Sequence, residues 1–441
     1  MNRKLIFITG YLAIFCLFFN GTAIAQNSRS ITLKEAVDFT LAYNKSLKMD
    51  SAKIIEASTA ITEARERRLP EASVTGAGLF LPVNPGVNVK TGGSTSNNST
   101  LPRVSQAFYG IASVSLPLYA AGKLKYGIES AKFLEQAIKL DADNDRSMVI
   151  LNSISACINL YKAYQAIILV KENLETSQQR EKDLANLEKN GLLARNDLLK
   201  AELQTSNIEL TLIDAQSNYK ITSVNMNLMM GLPEQTELIP DRSGLALPVS
   251  IKTLEEYEQY ALKERKDIGA LTFRKKAAFL GIKTAKSNYY PNMALTGGYI
   301  AADIPKLITI TNAVNIGIGI KYDISSLWKT KTKIQLAQVK VDQLNISESM
   351  LDDNIRIQIN QAYQSYLVSV KKIEVYEKAV TQATENYRIT KNKYDNTLAT
   401  TTELLDADVA LLQTKLSVTN AKADSFLAYN KLLQIAGLLT N

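Results

Sequence analysis

Long stretches of the chain repeat apolar residues at the spacing of an α-helix. Between Ile355 and Tyr387, apolar residues recur every three or four positions, and Lys, Glu, Gln, Asn and Ser fill the positions between them. This spacing places the apolar residues on one face of a helix. No proline occurs between Pro117 and Pro233, so no residue in that interval breaks a helix. The predicted long helices are 123–190, 195–230, 328–396 and 401–436.

The length of these helices restricts how they can pack. A helix of almost 70 residues extends on the order of 100 Å, whereas an average globular helix has about 11 or 12 residues. Such a helix cannot bury its apolar face in a small core. It must pack lengthwise against other long helices, as in a coiled coil or a helical tube.

Four shorter segments alternate apolar residues with small or polar ones, as β-strands do. In the segment AVNIGIGIK, residues 313–321, Val and Ile face one way while Asn, Gly and Lys face the other. A tilted strand needs about 9–11 residues to cross a bilayer, and these segments are long enough. Alternation alone leaves two interpretations open, a soluble sheet packed on helices and a membrane sheet. The predicted strands are 72–82, 105–117, 292–302 and 312–322.

The second half of the chain repeats the first. Pro70 aligns with Pro291 at an offset of 221 residues, and Gly231 aligns with Gly437 at an offset of 206. The offset changes because the first copy contains a polar Gly/Ser/Asn tract, 84–100, which is typical of a loop between two strands. The chain is therefore interpreted as a tandem repeat of a helix, two strands and two long helices. The predicted repeats are 26–240 and 241–441.

In both copies a proline is predicted to mark the junction between helix and strand. Pro70 and Pro291 each end a helical segment and precede an alternating one. Proline cannot donate the helical hydrogen bond, and it pushes the preceding residue towards extended geometry. The return from strand to helix contains Pro117 in the first copy, whereas the second copy has Tyr322-Asp323-Ile324 and no proline there.

Four strands are too few for a membrane sheet. Each unpaired backbone group in hydrocarbon costs several kcal/mol, so membrane sheets close into barrels. The smallest common barrels have about eight strands. A membrane sheet of this chain therefore requires other copies, two of which would supply eight strands and three of which would supply twelve.

The N-terminus predicts export. Residues 1–25 combine Arg3 and Lys4, an apolar run and the small-residue signal Ala23-Ile24-Ala25, the pattern of a secretory signal peptide. Beyond it only one cysteine remains, Cys157, which excludes an internal disulfide.

Composition argues against several function classes. The chain has no histidine, the commonest general base and metal ligand. It also lacks a nucleophile elbow, a metal-ligand spacing and a phosphate-binding glycine loop, so neither an enzyme nor a cofactor is predicted. Its 51 Lys and Arg and 43 Asp and Glu are interpreted as interspersed along helices, and nucleic-acid binding, which needs a basic patch, is not predicted.

Several segments together resemble the TolC-type outer-membrane efflux proteins. They are RLPEASVTGAG, YYPNMALTGGY, VSLPLYAAGKLKYGIESAK, LEKNGLLARNDLLKAELQ and YDNTLATTTELLDADVALL. The resemblance covers essentially the whole chain after the signal peptide. It implies a mainly α-helical fold with a membrane β-barrel portion, in a homotrimer whose twelve-stranded barrel joins a twelve-helix periplasmic tunnel. It also implies a location in the outer membrane of a Gram-negative bacterium, in contact with outer-membrane lipid.

The resemblance implies a passive export channel. An inner-membrane pump of the RND, ABC or MFS type would supply energy through a periplasmic adaptor protein, and the cargo is open between drugs, metal ions and polypeptides. A surface or periplasmic coiled-coil scaffold is the alternative from another class, although a scaffold has no need of bilayer-length hairpins.

The resemblance also suggests site residues at the two helix-hairpin tips. The periplasmic gate would comprise Asn196, Asp197, Tyr394, Glu403 and Asp406, and the position where the family often has an arginine is Ala399. Lys391, Lys393 and Arg195 are alternative gate cations. Glu403 and Asp406 share a helix face, and three copies around an axis would form carboxylate rings. The interpretation of this acidic pair as ordinary solvated helix charge stays open, as does a packing role for Tyr394.

The same tips are expected to bind the adaptor. The predicted contact residues are Gly191, Leu192, Leu198, Thr397, Leu398 and Leu404. Near the strand ends, Tyr119 and Trp328 are candidate interfacial anchors, and packing between barrel and tunnel is an equally good explanation of both.

Overall fold

The computed structural model describes residues 28–82, 105–241, 250–305 and 308–439. The predicted signal peptide 1–25 and the loop 84–100 lie outside these ranges. The described residues form two compact units, one from 28–48, 145–265 and 354–439 and the other from 49–144 and 266–353.

The elements follow the order helix, two strands and two long helices twice over. In the first copy they are β1 (Ser28–Ile31), α1 (Leu33–Tyr43), α2 (Lys45–Glu66), β2 (Glu71–Phe80), β3 (Gln106–Tyr119), α3 (Lys123–Lys189), α4 (Arg195–Met230) and β4 (Glu237–Pro240). In the second they are α5 (Leu254–Glu264), α6 (Lys266–Lys286), β5 (Asn292–Ile304), β6 (Ile308–Lys321), α7 (Ser326–Asp395) and α8 (Thr401–Ile435).

The first helix of each copy begins at a threonine cap. Thr32 and Thr253 precede α1 and α5, and each hydroxyl accepts a hydrogen bond from the backbone N–H of a glutamate three residues on, Glu35 or Glu256. In the second copy the carboxylate of Glu256 also accepts from the N–H of Thr253 at 2.8 Å, which completes a capping box.

A small parallel sheet anchors the core of the first unit. β1 pairs with β4, and the hydroxyl of Tyr219 donates to the carbonyl of Leu238 at 2.6 Å. Cys157 lies in this core beside Leu160 and Met226. Burial raises the pKa of the Cys157 thiol to about 11, so it remains a protonated, apolar packing group.

The second unit contains a four-stranded antiparallel sheet in the order β2-β3-β5-β6. β2 and β6 are its edge strands. The register pairs Glu71 with Ser115, Tyr119 with Met293 and Asn292 with Lys321. All four strands therefore meet their helices at the same end of the sheet.

The four helix–strand junctions use different devices. Pro70 lies between α2 and β2, and Pro291 lies between a single 3-10 turn, Ser287–Tyr289, and β5. Pro117, in contrast, is inside β3 opposite Ala294, next to a register shift that reaches Tyr119. The junction predicted near Pro117 thus lies close to the end of β3, which is two residues further on at Tyr119, and a strand tolerates proline at such an irregularity of its ladder.

The two junctions at which a strand leads back into a helix use different turns. The first copy uses left-handed residues, and the second uses a turn closed by a side chain. After β3 the chain turns at Ala121 and Gly122, with φ of 47° and 80°, conformations that glycine adopts without strain. After β6 the carboxylate of Asp323 accepts from the N–H and the hydroxyl of Ser325 at 3.1 and 2.7 Å. This turn lets α7 begin without a proline.

Strand β6 begins at Ile308, four residues before the predicted 312. The sequence ITIT before Asn312 continues the alternation, but Asn312 has φ of 58° and β5 is irregular between Ile300 and Ala302. A bulge of this kind shifts the alternation of apolar and polar residues by one position. The first residues of β6 were therefore not recognised as part of the same strand.

One helix, α3, contains an 18-residue window apolar enough to span a membrane, and half of that window is buried within the protein. Its apolar residues include Ile154, Ile158 and Tyr161, which pack against Phe426 of α8. The buried half of this window belongs to the core of the first unit.

Candidate functional site: the sheet faces and the helix-hairpin tips

The two faces of the four-stranded sheet differ in chemistry. One row across the strands is Val74, Ala112, Tyr299 and Val314. Val74 and Val314 are 85% and 76% exposed. Such a contiguous exposed apolar face marks an interaction surface.

The opposite face carries small and polar residues. Its rows include Ser73, Ser113, Gly298 and Asn315, and the hydroxyls of Ser73 and Ser113 are 2.9 Å apart. One apolar and one polar face is the pattern of a membrane strand with lipid on one side and water on the other.

Both outer edges of this sheet lack a partner strand among the described residues. β2 pairs only with β3, and β6 pairs only with β5. Open edges present free N–H and C=O groups, which hydrocarbon does not tolerate. The sheet is therefore incomplete as a membrane structure in a single chain.

The two helix-hairpin tips have the same backbone. Gly191 follows α3 with φ of 72°, and Thr397 follows α7 with φ of 59°. In the first tip the N–H of Leu192 donates to the carbonyl of Leu187 at 2.9 Å, and in the second the N–H of Leu398 donates to that of Lys393 at 2.7 Å. Each tip thus closes with a left-handed residue that satisfies the last helical carbonyls.

The second tip begins α8 with a capping box. Thr400 accepts at its hydroxyl from the N–H of Glu403 at 3.3 Å, and the Glu403 carboxylate accepts from the N–H of Thr400 at 2.7 Å. The Thr400 hydroxyl also donates to this carboxylate at 3.0 Å, and the hydrogen bonds that the carboxylate accepts from the backbone and side chain of Thr400 lower the pKa of Glu403. Glu403, a predicted gate residue, therefore has a structural partner at the tip, whereas the next acidic residue on its face, Asp406, is exposed.

The first tip contacts the second through Lys200. Its ammonium group is 3.1 Å from the carboxylate of Asp197 and 3.2 Å from the hydroxyl of Thr402. Asn196, next to Asp197, is exposed. The proposed alternative cation Arg195 lies 3.9 Å from Glu188 within its own tip.

Tyr394 packs across the tips. Its ring lies against Leu184, Leu198 and Ala201 of α3 and α4, and the hydroxyl of Thr401 is 3.4 Å from its own. This residue therefore helps to hold the two hairpins of one chain together.

The predicted adaptor-contact residues divide into two groups. Leu198 and Leu404 are only 2% and 3% exposed, while Leu192 and Leu398 are 74% and 76% exposed. Gly191 and Thr397 are exposed at the turns. Leu198 and Leu404 support the tips from inside, so only the remaining four predicted residues are available on the surface.

A buried ion pair that the sequence reading missed lies below the tips. Arg180 Nη1 is 3.0 Å from Asp408 Oδ2, and the two side chains are 10% and 6% exposed. Arg180 also donates to the Tyr387 hydroxyl at 3.2 Å, and Asn173 donates to Asp408 at 3.2 Å. Asp408 follows Leu404 by four residues on the buried side of α8, which is the signal that identifies it as an unusual core position.

Among the residues that the structure describes, no group of three or more His, Cys, Asp or Glu is arranged to hold a metal ion. The polar groups at the tips cap helices, pair with each other or face solvent.

Comparison with known proteins gives a consistent result. The family model for outer membrane efflux proteins matches residues 40–232 and 258–438. Outer membrane efflux protein BepC of Brucella suis biovar 1 (strain 1330) is 22% identical over 307 residues, which are 67% of this chain and 65% of BepC. Toxin and drug export protein A of Aggregatibacter actinomycetemcomitans is 23% identical over 368 residues, 78% of this chain and 73% of that protein. The chain thus spans slightly less than two thirds of the length of BepC.

Solved structures share the fold over nearly the whole chain. CusC has a TM-score of 0.74 at 18% identity, and the match covers 92% of both chains. The outer membrane protein VceC of Vibrio cholerae has a TM-score of 0.72 at 18% identity, covering 92% of this chain and 96% of VceC. The CmeC outer membrane channel of Campylobacter jejuni has a TM-score of 0.75 at 17% identity, covering 92% and 85%.

Proposed function

The chain belongs to the outer membrane efflux protein family, and from this premise we propose that three copies form one passive export channel. The protein is located in the outer membrane and has a periplasmic part. In the proposed trimer, twelve strands close a barrel and twelve long helices form the periplasmic tunnel.

The sheet carries this proposal. It has one exposed apolar face, one small and polar face, and two open edges at β2 and β6. Lipid against the apolar face would explain the exposed Val74 and Val314, and pairing of β2 with β6 of another copy would satisfy both edges.

The tips supply the proposed periplasmic gate. Asp406 and Asp197 would form rings of carboxylate around the trimer axis, together with Asn196 and Glu403. Tyr394 and Lys200 would hold the two hairpins of each protomer together at rest. The energy for transport would come from an inner-membrane pump of the RND, ABC or MFS type.

The exposed leucines of the tips fit a protein partner. Leu192 and Leu398 occupy equivalent positions in the two turns, beside Gly191 and Thr397, and each exposes an apolar side chain to solvent. A periplasmic adaptor that packs on these leucines would couple the channel to its pump.

Single-channel recording in planar bilayers tests the channel and its gate. The wild-type protein is expected to conduct, with a current that divalent cations reduce. Glu403→Ala/Asp406→Ala is expected to conduct with much weaker cation block. The control is Asp342→Ala/Asp353→Ala, which removes two exposed carboxylates elsewhere on α7. This control is expected to retain the wild-type block by divalent cations.

Unchanged cation block in Glu403→Ala/Asp406→Ala would remove these residues from the constriction. Failure of the wild-type protein to insert into bilayers would contradict the channel itself.

A further inference from the structure

The excess positive charge of the chain is concentrated where the helices meet the sheet. The twelve residues adjoining each strand on its helix side, 59–70, 120–131, 280–291 and 322–333, contain 10 Lys or Arg and 4 Asp or Glu. The rest of the chain contains 41 and 39. The interpretation of the charges as interspersed along the helices rather than clustered therefore needs correction for these four segments, where Lys and Arg exceed Asp and Glu.

The strand register brings these four segments to one end of the sheet. Glu71, Tyr119, Asn292 and Lys321 begin or end their strands there, as the pairing of Asn292 with Lys321 shows directly. The basic residues therefore belong to one surface although they are up to 270 residues apart in the chain.

Many of these cations lack an acidic partner. Lys329, Lys331 and Lys333 are exposed on the first turns of α7, and none forms an ion pair with any residue in the described ranges. Asp323 belongs to the same segment, and its pKa is lowered chiefly by hydrogen bonds from Ser325, with smaller contributions from the charges of Lys329 and Lys333. Lys123, Lys125 and Lys286 are likewise exposed at the other junctions.

Some lysines elsewhere on the long helices form ion pairs. Lys371 lies 2.6 Å from Glu374, and Lys422 lies 2.7 Å from Glu377. Some helical lysines of this chain thus pair with nearby glutamates, and the junction lysines are distinguished chiefly by their concentration at one end of the sheet.

Exposed aromatic residues adjoin the basic residues. Tyr119, Tyr290, Tyr322 and Trp328 lie within seven residues of the strand ends, and their exposed fractions are 49%, 59%, 41% and 63%. Tyr and Trp concentrate at membrane–water interfaces, where an apolar ring meets polar headgroups. The surface thus passes from aliphatic strand residues through aromatic rings to ammonium groups.

We propose that this surface, Lys123, Lys125, Lys286, Lys329, Lys331 and Lys333 with the adjoining aromatic rings, binds the phosphate groups of anionic glycerophospholipids in the periplasmic leaflet. The proposal rests on the proposed function, because it requires the sheet to lie in the outer membrane. Phosphate is the complement of unpaired ammonium groups, and polybasic segments next to a membrane-spanning element attract anionic lipid. The sequence of aliphatic, aromatic and basic residues matches acyl chain, interface and headgroup.

Trp328 is the only tryptophan of the chain, and it adjoins Lys329, so its fluorescence tests the proposal. The full-length mature protein is reconstituted into phosphatidylethanolamine vesicles that contain a fixed fraction of acyl-brominated phosphatidylglycerol or, in parallel, of acyl-brominated phosphatidylethanolamine. Bromine quenches tryptophan at short range. We expect brominated phosphatidylglycerol to quench Trp328 about twofold or more strongly than the neutral lipid, because the anionic lipid is enriched beside it.

The variant Lys329→Gln/Lys331→Gln/Lys333→Gln is expected to lose most of the difference in Trp328 quenching between the anionic and the neutral brominated lipid. Lys371→Gln/Lys372→Gln/Lys378→Gln removes three exposed lysines from the same helix away from the sheet, and it is expected to keep the difference. Channel conductance of both variants in neutral bilayers verifies that they fold and insert.

The outcomes separate this inference from the proposed function. Equal quenching by the two brominated lipids in the wild type, or an unchanged preference in the junction variant, overturns the lipid proposal and leaves the channel standing. Equal quenching together with altered ion selectivity of the junction variant would place these lysines in the channel lumen and would also overturn it. An absence of quenching by either lipid would show that Trp328 does not face lipid and would likewise overturn the lipid proposal, whereas failure of the wild-type protein to conduct in neutral bilayers would contradict the proposed function.

Discussion

Arg180 on α3 forms a buried ion pair with Asp408 on α8, at 3.0 Å between Nη1 and Oδ2. Burial acts to lower the pKa of Arg180, but the charge and hydrogen bond of Asp408, with a further contribution from Tyr387, raise it overall. The pair joins α3, the first long helix of the first repeat, to α8, the second long helix of the second repeat. It ties the two helix hairpins together inside one protomer.

Removal of one partner of this pair is expected to be costly. Asp408→Asn leaves the Arg180 guanidinium buried without a counter-charge, so we expect a loss of about 3 kcal/mol in the free energy of unfolding. The control Lys371→Ala breaks the exposed pair with Glu374 and is expected to cost less than about 1 kcal/mol. Denaturant unfolding of the detergent-solubilised protein measures both.

Hydrogen exchange locates the effect of Asp408→Asn. Amides of α3 and α8 near residues 180 and 408 are expected to exchange faster, because the two hairpins separate more readily. Equal costs for Asp408→Asn and Lys371→Ala would show that the buried pair contributes no more than a surface pair.

The two tips differ in how their second helices are capped. Thr400 caps α8 with its hydroxyl, whereas Ala194 precedes α4 and makes no side-chain cap. Thr400→Ala is expected to destabilise the second tip by about 1 kcal/mol, and Ala194→Thr is expected to stabilise the first by a similar amount. Amide exchange in the first turns of α4 and α8 measures each change, and changes of the same sign in the two variants would contradict the capping account.

The capping carboxylate of Glu403 makes the second tip sensitive to pH. Its pKa in the folded protein is lowered from 4.5 by hydrogen bonds from Thr400. A carboxylate with a lowered folded pKa stabilises the fold above its unfolded pKa, and the effect is lost as the pH falls through the folded value. The stability advantage of wild type over Glu403→Ala is therefore expected to be full at pH 7 and to shrink below about pH 4.5. An advantage that stays constant down to pH 3 would show that the charge of Glu403 does not contribute.

Thr397 adopts a backbone conformation that suits glycine. Its φ is 59°, close to the 72° of Gly191 at the equivalent position of the first tip. We expect Thr397→Gly to stabilise the protein by about 0.5–1 kcal/mol and Gly191→Ala to destabilise it by about 1 kcal/mol. Thermal unfolding measures both shifts, and a destabilising Thr397→Gly would mean that the threonine side chain contributes more than its strained backbone costs.

The regular parts of this fold could be predicted from the sequence because they are encoded locally. The long helices follow from apolar periodicity without prolines, and the strands from alternation next to Pro70 and Pro291. Pro117 indicated the approximate position of the return junction, whereas the left-handed pair Ala121-Gly122 that makes the turn is not signalled by periodicity.

The candidate site was less accessible from the sequence because its contacts are distant along the chain. The pair of Arg180 and Asp408 spans 228 residues, and helical spacing alone does not state which buried positions of two helices face each other. Burial of Leu198 and Leu404 likewise depends on how the hairpins pack. The left-handed geometry of Thr397 is visible only through its alignment with Gly191.

The central claim is that one chain cannot complete its own membrane sheet, because β2 and β6 have open edges. Native mass spectrometry of the mature protein, extracted from outer membranes in mild detergent, tests this most directly. The account predicts a complex of three chains that remains intact at low protein concentration. A monomer that stays folded and soluble without detergent would contradict it.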